Sequence, residues 1–135
     1  MYPEIKTFTM DKKVINITAA PAPIGPYNQA IKTGNLLFIS GQIALVPGTD
    51  TLIIATLADE THQVMKNLSA ILESENAGFA NVVKTTIFLS DMAHFSSVNE
   101  VYGQYFIGDY PARETVAVKG LPKNVNVEIS MIAAL

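Results

Sequence analysis

Two residues near the end of the chain have side chains suited to chemistry on a small acid. Arg113 is the only arginine, whereas the other eight basic residues are all lysine. Because the guanidinium is planar, it binds a carboxylate or phosphate through two parallel N–H donors, which a lysine cannot do. Glu128 is a single carboxylate in the segment that follows. The pair therefore combines a two-point anchor for an anion with a group that can accept a proton.

The segments around these residues are predicted to be strands. Residues 112–118 and 125–132 are rich in β-branched residues and are separated by a connection that contains glycine and proline. Alternation puts Glu128 in mid-strand on the more polar face of the second segment. If the two strands pair as a hairpin, Arg113 and Glu128 lie close together on one sheet face. These two residues alone leave two interpretations open, a structural ion pair and a functional site.

Hydrophobic patterning predicts six strands and two helices. Thr56 is the expected N-cap of the first helix, and the second is expected over residues 94–106. The predicted order is βββαβαββ, with the first strand at residues 13–17. Two helices cannot cover both faces of a six-stranded sheet, so the sequence predicts a mixed α/β (α+β) fold with two helices on one face and an open face that associates with a partner.

Composition narrows the function classes. The 135 residues fit one domain, here residues 13–135 after an N-terminal arm at 1–12, and 49% of them are hydrophobic. A net charge of −3 with scattered lysines argues against nucleic acid as a partner. No segment is typical of a signal peptide or membrane span, so we expect a cytoplasmic protein with no membrane partner. Cysteine is absent, which excludes thiol chemistry and disulfides.

Four further residues are candidates for a site, each with a structural alternative. Tyr27 follows a stiff segment with three prolines and is either a positioned site residue or a tyrosine at the edge of the core. Ser40 and Gly41 end a strand, where a glycine marks either a bulge or a close approach of a ligand. Asn99 lies on the apolar stripe of the second helix, so it either bonds to backbone or lines a cleft.

Eight short motifs, in order and spacing, resemble the reactive intermediate deaminases (Rid, also called YjgF). The resemblance covers the chain from about Ile15 to its end. The motifs are Ile24-Gly25-Pro26-Tyr27, Gly34-Asn35, Ser40-Gly41-Gln42-Ile43, Val83-Lys84-Thr85-Thr86, Val98-Asn99-Glu100-Val101-Tyr102, Pro111-Ala112-Arg113, Leu121-Pro122-Lys123 and Val127-Glu128-Ile129.

The resemblance implies a fold, an assembly and a reaction. It implies a chorismate-mutase-like fold, a homotrimer, and a site between subunits that hydrolyses 2-enamino and 2-imino acids, such as 2-aminoacrylate and 2-iminobutyrate, to 2-keto acids and ammonia. Arg113 would anchor the carboxylate and Glu128 would activate water, with no metal or organic cofactor. The residues implied to line the cleft are Tyr27, Ser40, Gly41 and Asn99.

Four positions depart from the family pattern, and other functions stay open. Glu114 replaces a small residue beside the anchor, Ser130 a second glutamate, Ala44 a proline and Glu60 a frequent glutamine. Strand alternation predicts that Glu114 points away from Arg113. The alternatives are a regulator that binds a keto acid without turnover and a relative linked to RNA cleavage or translation inhibition.

Overall fold

The computed structural model describes Pro3 and residues 11–135, which form a six-stranded mixed sheet with two helices on one face. The predicted arm at residues 1–12 lies outside the described residues, except for Pro3, Asp11 and Lys12. In chain order the elements are β1 Lys13–Ile15, β2 Ala30–Thr33, β3 Leu36–Gln42, α1 Leu57–Ser74, β4 Val82–Leu89, α2 Phe95–Gly103, β5 Ala112–Ala117 and β6 Val127–Ala134. The predicted order βββαβαββ is confirmed.

The strands lie in the order β1-β2-β3-β6-β4-β5. All neighbours pair antiparallel except β4 and β5, which are parallel. The last strand therefore enters the middle of the sheet, between β3 and β4. The predicted hairpin of β5 and β6 is wrong, because β4 lies between them. Neighbouring strands along the chain often pair, but here a parallel β4–β5 pair connected through α2 takes precedence.

The register decides which residues share a face. Arg113 lies opposite Thr85, and Thr85 lies opposite Met131, which is buried under the helices. Glu128 lies opposite Phe88. It precedes Met131 in β6 by an odd number of residues, so the two side chains point to opposite faces. Since side chains alternate between faces, Arg113 is on the helix-covered face and Glu128 is on the open face. The prediction that they share a face is wrong for a single chain.

Helix boundaries follow local capping chemistry. The Thr56 side chain accepts a hydrogen bond from the Asp59 N–H at 3.0 Å, which confirms the predicted N-cap of α1. Asn76, with φ of 56°, reverses the chain after the helix. The second helix is shorter than predicted and ends at Gly103. No helix among the described residues has both the length and the apolar character needed to cross a membrane.

One continuous core fills the space between the sheet and the helices. It consists mainly of aliphatic side chains from α1, β3, β4 and β6. Buried polar side chains fix the irregular segments around it. Gln29 bonds to the backbone of Ile17, Ala20 and Pro21 and so holds the proline-rich segment against the sheet. Asn67 donates to the carbonyls of Ile43 and Leu45.

The other face of the sheet has no covering element in the described part of the chain. Its side chains include several apolar ones that are substantially exposed, such as Phe38 and Val116, each 41% exposed. Glu114 lies on this face, bonded to Lys84 Nζ at 2.8 Å and Thr86 Oγ1 at 2.9 Å. The prediction that Glu114 points away from Arg113 is therefore confirmed.

Candidate active site

Arg113 lies at the floor of a cleft between α2 and the start of β5. The cleft has a volume of about 260 Å³. Its walls are formed by Asn99, Tyr102, Gly103, Tyr110 and Pro111. The cleft is large enough for a small organic acid, and its one charged group is the guanidinium.

Two aromatic rings hold the Arg113 side chain. Its Cζ atom lies 5.1 Å from the centre of the Tyr102 ring and 5.7 Å from that of Phe95. Both distances are within the range of cation–π attraction. The Tyr102 hydroxyl donates to Thr85 Oγ1 at 3.0 Å, which fixes the ring on the strand beneath. Burial raises the pKa of the Tyr102 hydroxyl, although the Thr85 hydrogen bond and the Arg113 charge oppose this, so it stays a neutral donor.

The guanidinium is held in place without being neutralised. Within the described part of the chain, Arg113 forms no salt bridge. The nearest carboxylate in sequence, Glu114, is occupied by Lys84 on the opposite face. The N–H donors of Arg113 therefore have no carboxylate partner among the described residues, and the interpretation as a structural ion pair with Glu128 does not hold within one chain.

Asn99 lines the same cleft. It is half-buried, and it is one of the residues that line the cleft together with Arg113. Of the two interpretations of this residue, the cleft-lining one is supported. Tyr102 and Phe95 form the aromatic support of the guanidinium, although only Tyr102 is part of the buried core and Phe95 is 39% exposed. Phe95, Asn99 and Tyr102 occupy positions i, i+4 and i+7 of the helix, and this spacing could have predicted that they lie on one side of the cleft.

Glu128 belongs to a second group of residues, on the other side of the sheet. It is the second residue of β6, not a mid-strand residue as predicted. A Cβ atom added to Gly41 would lie 2.8 Å from Glu128 Cδ, so the carboxylate lies directly against the Gly41 backbone. The register of β3 shifts between Ile39 and Gln42, which confirms a bulge at this glycine. The bulge interpretation of Gly41 is thus confirmed, and the atoms that approach its backbone are those of the Glu128 side chain.

The surroundings of Glu128 favour its protonated form. The side chain is half-buried, and the described residues give it no salt bridge. Burial raises the pKa of Glu128 from its ordinary value of 4.5. A carboxylate with a raised pKa is a stronger base once ionised, which suits it to accept a proton from water.

Tyr27 and Ser40 flank this second group. Tyr27 is 44% exposed and shares a narrow crevice with Gly41. Its hydroxyl accepts a hydrogen bond from the Ile24 N–H at 3.1 Å. The Ser40 hydroxyl donates to the Asn28 carbonyl at 2.6 Å, which ties β3 to the end of the proline-rich segment. Ser40 therefore shapes the bulge, and its hydroxyl is already committed as a donor.

The predicted site residues thus form two half-sites. One half-site, the anchor half, contains Arg113 and Asn99. The other, the carboxylate half, contains Glu128, Gly41, Ser40 and Tyr27. Within one chain they lie on opposite faces of the sheet.

Comparisons with known proteins assign the chain to a family. A family model described as Endoribonuclease L-PSP matches residues 17–135. The chain is 44% identical over 131 residues to "Reactive Intermediate Deaminase A, chloroplastic" of Arabidopsis thaliana, covering 97% of this chain and 70% of that protein. It is 46% identical to "2-iminobutanoate/2-iminopropanoate deaminase" of Mus musculus, covering 90% of each.

A solved structure shows the same fold at lower identity. Escherichia coli TdcF with bound serine superimposes with a TM-score of 0.86 at 36% identity, over 91% of this chain and 98% of that one. The family model, the sequence identities and the fold agree with the family that the motifs around Arg113 and Glu128 resemble. The chain therefore belongs to the Endoribonuclease L-PSP family, which includes the reactive intermediate deaminases.

Proposed function

We propose that this protein hydrolyses reactive 2-enamino and 2-imino acids to 2-keto acids and ammonia, at sites formed between the subunits of a homotrimer in the cytoplasm. The observation that carries the proposal is the free guanidinium of Arg113 in a cleft that fits a small acid. The names of the Arabidopsis and mouse relatives, and the serine bound by TdcF, support a small substrate with a carboxylate.

The reaction uses the two half-sites in turn. Arg113 binds the substrate carboxylate through two hydrogen bonds and so fixes the adjacent C=N carbon. A water held by Glu128 attacks that carbon, and its proton passes to the carboxylate. Glu128 returns this proton to the nitrogen of the resulting carbinolamine, and the C–N bond breaks. As the keto group forms, the hydroxyl proton passes to Glu128 and then to the departing ammonia, which leaves as ammonium. Because a protonated imine is already electrophilic, the proposed reaction uses only side chains of the protein and water.

The positions of Arg113 and Glu128 on opposite faces of the sheet support a site that is shared between subunits. The open face carries exposed apolar side chains and the Glu128 carboxylate. A second copy of the chain that covers this face buries the apolar side chains and can bring its own Arg113 to Glu128. Each site then combines the anchor half of one subunit with the carboxylate half of its neighbour.

A keto-acid sensor uses the same anchor, and RNA is a weaker candidate. A sensor needs Arg113 but no base, so the raised pKa of Glu128 favours the enzyme. The word endoribonuclease in the family description does not fit a chain of net charge −3 with one arginine.

Arg113→Lys should keep the charge but lose the second hydrogen bond to the substrate. We expect kcat/KM for imine hydrolysis to fall by about 10- to 100-fold, corresponding to the loss of one charge-assisted hydrogen bond. The imine is generated in the cuvette by an amino-acid oxidase, and its decay is followed. Lys66→Ala removes one positive charge from an exposed position on α1 and should leave the rate unchanged. A wild-type rate in Arg113→Lys would mean that a point charge suffices, and a loss in Lys66→Ala alone would mean that only net charge matters.

Glu128→Gln should separate binding from turnover. The amide keeps the shape of the side chain but cannot accept the proton, so the rate should fall by about 10²–10⁴-fold while 2-oxobutyrate still binds. In the wild type, the rate should fall as the pH drops through the Glu128 pKa, which burial raises above 4.5. This acid limb should be absent from the variant. Keto-acid binding without imine hydrolysis in the wild type would instead identify a sensor.

Gly41→Ala should move the carboxylate without unfolding the chain. The added methyl would lie within 3.1 Å of three Glu128 side-chain atoms, and these can rotate away because they are at the flexible end of the side chain. We expect the rate to fall by about 10- to 100-fold from this displacement, with little change in the thermal midpoint. Gly120→Ala is the control, since its methyl would meet no atom within 4 Å. A fully active Gly41→Ala would contradict the placement of Glu128.

A further inference from the structure

Glu60 is a buried carboxylate that neither half-site contains. It lies in the first turn of α1 and is 0% exposed. Within the described residues it has no salt-bridge partner. A charge in such a position is costly unless several donors satisfy it, so its hydrogen bonds identify what it does.

Its side chain accepts three hydrogen bonds from the described residues, all from the start of β6 and the residue before it. The Asn126 N–H donates to Oε2 at 2.8 Å, the Val127 N–H donates to the same oxygen at 3.1 Å, and Asn126 Nδ2 donates to Oε1 at 2.8 Å. The next residue in the chain is Glu128. One side chain thus binds two consecutive backbone amides just before the proposed base.

The beginning of β6 depends on this contact more than a mid-strand segment would. The first residue of β6 that pairs with β3 is Ile129, opposite Gln42. Val127 and Glu128 therefore have no partner in β3. Upstream, Lys123 and Asn124 have φ of 55°, so the chain enters the strand from an irregular turn. On its other side this segment pairs with β4 alone, where Leu89 lies opposite Val127 and Phe88 opposite Glu128. Just before the strand, the Ser90 N–H donates to the Asn126 carbonyl at 3.0 Å.

We propose that Glu60 is the positioning residue for Glu128. By binding the Asn126 and Val127 amides it fixes the peptide that leads into Glu128, and this keeps the carboxylate against Gly41. The inference rests on the proposed function, because it assigns Glu60 to the same reaction. Misplacement of a reacting group by about 1 Å can reduce a rate by about 10²-fold, so a residue outside the cleft can matter this much.

The role depends on the acceptor oxygens, not on the charge. A glutamine at this position can accept both backbone N–H groups with its amide oxygen. Its NH₂ can then donate to Asn126 once that amide has turned over. Methionine has a similar length but lacks the strong acceptor. Glu60→Gln should therefore conserve the contact, and Glu60→Met should remove it.

The test compares these two variants in the full-length protein. We expect Glu60→Gln to hydrolyse imine within about threefold of wild type and Glu60→Met to be slower by about 10- to 100-fold. The Kd of 2-oxobutyrate should change by less than about twofold in both, because Arg113 lies on another strand. Asn81→Leu is the control for general destabilisation, since Asn81 Nδ2 donates to Ala134 at the far end of β6. It should retain its rate.

Equal rates in Glu60→Met and wild type would overturn the proposal, as would an equal loss in Asn81→Leu and Glu60→Met. If Glu60→Met does not fold, Glu60→Asp, which is too short to reach both amides, is judged by the same outcomes.

If the wild type hydrolyses no imine, the proposed function fails. Amide hydrogen exchange of the peptide over residues 125–129 then tests Glu60 separately. Faster exchange in Glu60→Met than in Glu60→Gln supports the contact, and equal exchange refutes it.

Discussion

The alternation of side chains along a β-strand is the constraint on which the rest of this structure depends. It puts Arg113 under the helices and Glu128 on the open face of the same sheet. No change of rotamer can bring them to one substrate within a chain, because β4 stands between their strands. A reaction that needs both groups therefore needs two copies of the chain. The proposed trimer explains three features together: the open face, the apolar side chains on it and the division of the site between two faces.

Each half-site keeps an ionisable group without a salt bridge in the described part of the chain, at some cost in stability. Arg113 is supported by aromatic rings instead of a carboxylate. Burial of Glu128 raises its pKa, so ionising it opposes folding as the pH rises through that pKa. The remainder of the chain offsets this with a continuous aliphatic core and with buried polar side chains that satisfy irregular backbone, among them Gln29, Asn67 and Glu60.

Much of the fold was predictable from sequence because it follows from local patterns. The helix start at Thr56 and the alternation in β6 are set by capping and periodicity. Strand pairing is not local, so the proximity of β5 and β6 in sequence led to a wrong hairpin and a wrong common face. The site residues were accessible through motif resemblance. Glu60 was noted only as a departure, because nothing in its neighbours along the chain shows that it contacts Asn126, 66 residues away.

The measurement that tests the shared site most directly is complementation between two variants of reduced activity. Arg113→Lys and Glu128→Gln proteins are unfolded together in equal amounts, refolded, and assayed for imine hydrolysis beside each variant refolded alone. If each site takes Arg113 from one subunit and Glu128 from another, random mixing leaves about a quarter of the sites intact, so about a quarter of the wild-type rate should return. A mixture no more active than the two variants refolded separately would contradict the shared site, because Arg113 and Glu128 would then not act across a subunit interface.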